Sequence, residues 1–196
     1  MSTQRKDTRK QILAVGRRLT AERGFVGVGL SDLLKKAGVP KGSFYHYFAS
    51  KEDYGCALLE SFADDYRQGL ADTLNNPSLN AHDRFLAYFQ GWIRKQTGQN
   101  PEDRCLVVKL AAEVSDLSDS MSGVLQNAVD GIVEALTQTL RDGIAEGSVA
   151  RLEDPALTAR AIYHQWLGAS LVAGLSGSVE PLESAMKSTA SAIRPM

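Results

Sequence analysis

Apolar residues recur at three- and four-residue intervals along nearly the whole chain, and no alternating run of β-branched residues competes with that period. The pattern predicts an all-α protein of about nine helices. The first, residues 7–23, sets Ile12, Val15, Gly16 and Leu19 on one face and ends at Gly24. Two short helices follow, about 30–37 and 41–47, divided by Ala37-Gly38-Val39-Pro40. Ser50-Lys51-Glu52-Asp53 forms a capping box, with Ser50 accepting the Asp53 amide while Asp53 reaches back. The fourth helix it opens carries Tyr54, Leu58, Phe62, Tyr66, Leu70 and Leu74, an unbroken i+4 stripe that Asn76-Pro77 closes. Further helices are expected at about 81–97, 101–115, 119–146, 155–175 and 180–193. Asp154-Pro155, a cap residue before proline at the first helical position, marks the start of the eighth.

Charge divides the 196 residues unevenly. Residues 1–52 hold 11 of the 22 Lys and Arg against 4 of the 23 Asp and Glu, a balance of +7; the remainder stands at −8. A basic head on an acidic body suggests that one end meets a polyanion. The division expected is therefore a polyanion-binding domain at 1–52 and a second domain at 53–196. Two cysteines 49 residues apart and three scattered histidines offer neither a disulfide framework nor a zinc site, and no cofactor is expected. The polar start MSTQRKDTRK lacks the apolar stretch of a secretory signal. The segment 161–179 is free of charge, but His164, Gln165, three serines and three glycines make it too polar for a lone membrane span. A cytoplasmic protein is expected, with this helix buried on most of its surface.

The most informative stretch is GFVGVGLSDLLKKAGVPKGSFYHYFASKED, residues 24–53. Two helices of about two turns joined through a glycine-containing turn describe a helix-turn-helix. Ala37 is small where the helices cross, and Gly38 can take the positive φ of the turn. Leu33, Leu34, Val39, Phe44 and Phe48 supply a miniature core. The second helix then exposes Lys41, Ser43, Tyr45, His46 and Tyr47, offering a cation, hydroxyls and aromatic edges to a major groove.

The succession Gly-Phe, Asp-Leu-Leu, Ala-Gly-Val, Lys-Gly-Ser-Phe-Tyr-His-Tyr-Phe and Ser-Lys-Glu resembles the TetR-family DNA-binding domain over about 45 residues. That resemblance implies base or backbone contacts from Lys41, Gly42, Ser43, Tyr45 and His46, and a phosphate contact from Lys51. Two departures are Val28-Gly29, where hydroxyl residues are frequent, and Pro40, where Ser is usual. Glycine caps tolerably and proline suits a first helical turn, so the fold tolerates both.

The body, 53–196, is expected to form a helical bundle that dimerises and houses an effector. The charge-free run makes the helices at 155–175 and 180–193 the candidate dimer interface, through Trp166, Ala169, Val172 and Ala173. Gly168 and Gly174 would also allow close approach. Tyr88, Phe89, Trp92, Tyr163, His164 and Trp166 are candidates to line a pocket for an aromatic or electrophilic small molecule; the alternative for each is core packing. CLVVKLAAEVSDLSDSM and WLGASLVAGLSGSVEPLESA are further similar to an electrophile-responsive repressor of the TetR family. That similarity implies release from DNA by electrophiles or oxidants through Cys105. It also places a lysine at position 174, where this sequence has Gly174.

Residue chemistry alone leaves Cys105 open. Asn100-Pro101-Glu102-Asp103 reads as a helix start with Cys105 one turn in; Arg104 and Lys109 favour a thiolate, while Glu102 and Asp103 oppose it. A small buried thiol is the alternative, and packing is the expectation for Cys56. A helical enzyme would need a nucleophile with its base or a phosphate-cradling loop, and neither pattern occurs. A DNA-bound adaptor without an effector is the remaining rival; loss of DNA binding on adding an effector excludes it.

Overall fold

The computed structural model describes residues 3–195, and among them it contains helices and no strands. The eight α-helices are α1 (Thr3–Arg23), α2 (Leu30–Lys36), α3 (Lys51–Leu74), α4 (Ala81–Thr97), α5 (Leu106–Leu117), α6 (Asp119–Glu146), α7 (Pro155–Ser176) and α8 (Glu180–Ala192). Two 3₁₀ helices, Lys41–His46 and Pro101–Asp103, complete the set. All nine expected helices thus have counterparts, with two changes of register. The recognition segment is 3₁₀ instead of α; at six residues between Pro40 and Tyr47 it has little length over which to gain α-helical cooperativity. The helix expected from 101 begins only at Leu106. Asn100 does accept the Glu102 amide, but the 3₁₀ turn it caps stops at Asp103, and Arg104 and Cys105 are extended.

Local signals account for the helix ends. Asp53 donates its amide to Ser50 Oγ at 2.9 Å, and its carboxylate accepts the Ala49 amide at 2.8 Å. Asp154 Oδ1 accepts the amides of Ala156 and Leu157, while Gly177, at φ +66°, ends α7 with its own amide on Ala173 O. Asn80 caps α4 through the Asp83 amide, and Glu146 adds a second acceptor on the Ala81 amide.

The chain condenses into two compact units. The first comprises residues through Asp65 together with Asn100–Asn127; the second comprises Tyr66–Gln99 and the residues from Ala128 onward. These units group the chain differently from a cut at 52/53, because the first takes in part of α3 and all of α5. In the first unit one apolar cluster joins Phe44 and Phe48 of the helix-turn-helix to Tyr54 and Leu58 of α3 and to Leu110 and Val114 of α5. In the second, α8 packs against α7 and α4. Its fully buried residues include Phe85, Phe89, Leu136, Leu140, Tyr163 and Trp166. No described helix is long and apolar enough to cross a membrane.

Candidate functional site

In the helix-turn-helix, Leu33, Leu34, Phe44 and Phe48 are buried and Val39 packs against them. The interhelical turn takes the expected form: Gly38 lies at φ +64°, where a side chain would be strained. Gln11 of α1 secures that turn by donating its side-chain amide to Ala37 O at 2.9 Å. Pro40 O accepts the Ser43 amide and Phe44 O accepts those of Tyr47 and Phe48, which winds the segment tightly. Phe44 points inward, so its neighbours point out. Tyr45 is 67% exposed. Lys41, Gly42 and His46 are exposed and Ser43 and Tyr47 half-buried. Lys51 is exposed at the start of α3, with its ammonium 5.3 Å from the centre of the Phe25 ring.

Cys105 occupies the N-cap position of α5 and is only 8% exposed. This corrects one expectation, since the residue does not lie one turn into the helix, and its burial matches the small-buried-thiol alternative. Loss of water around the sulfur pushes its thiol up to about 11, against a weaker opposing pull from the Val107 and Val108 amides. At neutral pH the thiol is therefore protonated. Cys56 is half-buried and also raised, by desolvation first and then by the charges of Glu52, Glu60 and Asp53.

The candidate pocket aromatics are brought together, but they fill their space with one another. Phe89 stacks on Trp166 at 4.6 Å between ring centres, and Trp92 meets Tyr163 edge-on at 5.7 Å. Tyr88 packs edge-on against Phe89 at 4.7 Å and shares a 2.6 Å hydrogen bond with the Tyr66 hydroxyl. Trp166 donates its indole N–H to Thr189 Oγ1 at 2.9 Å and is fully buried. Trp166 is thus an internal residue of its own subunit, which corrects its placement on a dimer surface. His164 is exposed instead of lining a pocket or sitting in the core. Ala169 and Ala173 are half-buried and Val172 exposed, beside Leu171 at 53% and Leu175 at 89% exposure. An open groove of about 430 Å³ does occur elsewhere in the second unit, lined by Arg141, Ile144, Val149, Arg151, Leu152 and Pro155.

Residues 12–53 match the family described as bacterial regulatory proteins, tetR family, and residues 81–189 match the tetracyclin repressor-like C-terminal domain. The chain belongs to the TetR family. It is 44% identical over 180 residues to the HTH-type transcriptional repressor NemR of Escherichia coli K12, spanning 92% of this chain and 90% of that protein. It is 31% identical over 179 residues to the HTH-type transcriptional repressor DhaR of Mycobacterium sp. strain GP1, spanning 91% and 88%. The crystal structure of the reduced form of Escherichia coli NemR aligns with a TM-score of 0.92 at 43% identity, covering 97% of this chain and 98% of that one. This TetR-family chain is a DNA-binding transcriptional regulator and not an enzyme.

Sequence reasoning passed over two features of this TetR-family fold. The arginine-rimmed groove has no motif, since its lining comes from the end of α6, the loop after it and Pro155. Glu113 was also missed: its carboxylate accepts the Val26 amide at 3.1 Å, 87 residues away, and fills the space beside Gly24. Acidic residues on a helix face ordinarily read as solvated, and an acceptor for a distant backbone amide leaves no sequence mark.

Proposed function

We propose that the chain is a homodimeric repressor that grips a palindromic operator and lets go when a small electrophile or oxidant modifies Cys105. In this reading Lys41, Gly42, Ser43, Tyr45, His46 and Tyr47 meet bases and backbone in the major groove, and Lys51 holds a phosphate. The exposed face of α7, running through Leu157, Ala161, His164, Gly168, Leu171 and Leu175, supplies the contact with a second copy. Those positions recur at four- and three-residue steps on the side opposite Ile162, Tyr163 and Trp166, so α7 is apolar on both sides. A two-fold pairing there presents two recognition helices to successive major grooves.

The observation that carries the release mechanism is the position of α5. Cys105 is its N-cap, directly before Leu106, and its Leu110 and Val114 share one apolar cluster with Phe44 and Phe48. A close-packed interior has no room for added atoms on a buried sulfur. Added atoms there are expected to displace the start of α5, and with it Leu110 and Val114, toward an arrangement that no longer fits DNA. With a maleimide, sulfur adds to the alkene and the thiol proton ends on the neighbouring carbon. With hypochlorite, the thiol becomes a sulfenic acid and the oxidant is reduced to chloride. The similar Escherichia coli NemR was crystallised in a form described as reduced, which agrees with a redox-sensitive regulator. Because residue 174 is glycine, the product is a direct adduct, a sulfenic acid or a disulfide between subunits, with no bond to an amine at that position.

The test is operator binding by wild type, Cys105→Ser and Cys56→Ser before and after maleimide or hypochlorite. Cys105→Ser is expected to stay on DNA while the other two are released. Equal release of Cys105→Ser and wild type would sink the thiol mechanism.

A further inference from the structure

We infer that Glu113 positions the DNA-binding head, holding the turn before α2 in register with α5 through the Val26 amide. The turn 24–29 is built to receive it. Gly24 sits at φ +76°, and a Cβ there would lie 2.1 Å from the Glu113 carboxylate, so the carboxylate packs directly over the bare backbone. Gly27 presses on Arg23 O, where a Cβ would come within 2.4 Å. Between these glycines the Val26 side chain is 63% exposed, but its amide donates to Glu113 Oε2 at 3.1 Å. Phe25 and Val28 on either side are buried in the core that also anchors Leu110 and Val114. Glu113 is thereby held by its own helix and grips the segment that leads into the helix-turn-helix.

Cys105, the N-cap of α5, and Glu113 lie eight residues apart, about 12 Å at the helical rise. Displacement at the first is carried by a rigid element to the second. This link rests on the proposed thiol switch; the positioning role of Glu113 does not.

Electrostatics and positioning predict opposite outcomes for one substitution. Glu113→Ala removes a negative charge from a DNA-binding protein, so charge alone would tighten binding. Loss of a charge-assisted hydrogen bond to the turn instead weakens operator binding, by roughly tenfold. Glu113→Gln removes the same charge and keeps an acceptor oxygen, so it restores most of the affinity. The experiment is operator titration of both variants, with hydrogen exchange at the Val26 amide as a direct readout. Expected are weak binding and fast exchange in Glu113→Ala, and near wild-type values of both in Glu113→Gln. Wild-type or tighter binding by Glu113→Ala overturns the proposal, as does equal weakening of both variants.

Maleimide separates the two claims. If wild type is not released, the thiol switch fails and the affinity results still decide the role of Glu113. If wild type is released, Glu113→Ala should show little further loss; a loss by the same factor as wild type overturns Glu113 as the link. Should Glu113→Ala fail to fold, exchange at Val26 in wild type before and after modification decides the same point. Unchanged protection overturns the link, and faster exchange upholds it.

Discussion

Trp92 donates its indole N–H to Ser170 Oγ at 2.9 Å, and Ser170 in turn donates to Trp166 O at 2.8 Å. One small hydroxyl thus serves a buried indole from α4 and a carbonyl of α7. Ser170→Ala keeps the volume but leaves the indole N–H without an acceptor, at a cost of about 1–3 kcal/mol. The expected outcome is a Tm lowered by several degrees in thermal unfolding, with helix content unchanged. An unaltered Tm would mean that the bond contributes nothing net.

Tyr45 is exposed because Phe44 beside it is fully buried, and the two rings meet edge-on at 5.3 Å. Tyr45→Ala should therefore spare the fold and lower operator affinity by about 1–3 kcal/mol, the scale of a good base contact. Lys51→Ala should weaken all sequences alike and flatten the salt dependence. Titrations at several salt concentrations distinguish the two effects.

The helix ends were legible in the sequence because their causes are local. Ser50 with Asp53, Asp154 with Pro155, and Gly38 each act within a few residues. So was the α3 stripe, for Tyr54, Leu58, Phe62, Leu70 and Leu74 are buried and Tyr66 is half-buried. Cys105 shows where local reading ends. Asn100-Pro101-Glu102-Asp103 opens a 3₁₀ turn and an α-helix with the same signals, and only the tertiary packing of α5 selects between them. Whether aromatic rings line a cavity or fill it is likewise a matter of tertiary volume, and Trp166 on Phe89 fills it. His164 reads as a core residue on an apolar helix, but α7 is apolar on both sides and His164 falls on the outer one.

That outer side supplies the next prediction. Leu171 is 53% exposed, so Leu171→Arg is harmless to an isolated subunit. If a second copy covers it, the substitution buries an unpaired charge and splits the pair. Sedimentation should show a folded monomer with weakened operator binding. A stable dimer would move the interface off this face.

Glu146 makes the acid limb of stability testable. Its carboxylate accepts the Ser148 hydroxyl at 2.6 Å and the Ala81 amide, and these hydrogen bonds hold its pKa below the ordinary carboxylate range. A depressed folded pKa means that the stabilisation is complete above the unfolded value, about 4.3, and is lost as pH falls through the folded value. Glu146→Gln should therefore lower Tm near neutrality and show a shallower decline in acid than wild type. Parallel acid limbs would show that Glu146 is not a titrating cap.

Cys105 makes the opposite prediction at the alkaline end. Burial raises its thiol to about 11, above the unfolded value of about 8.5. The contribution of the protonated thiol is fully present below the unfolded pKa and is lost as pH rises through the folded one. Wild type should therefore lose stability relative to Cys105→Ser only above about pH 9, which melting curves at graded pH will show. The same shift governs reactivity, because the thiolate is the attacking species. Its fraction grows about tenfold per pH unit until the pKa is reached, so maleimide labelling at Cys105 should climb steadily from about pH 6 to 10 without a plateau near neutrality. Site-resolved mass spectrometry, which separates Cys105 from Cys56, measures that profile. A plateau at about pH 7 would reveal a thiol activated by its surroundings and would contradict the buried, protonated sulfur at the start of α5.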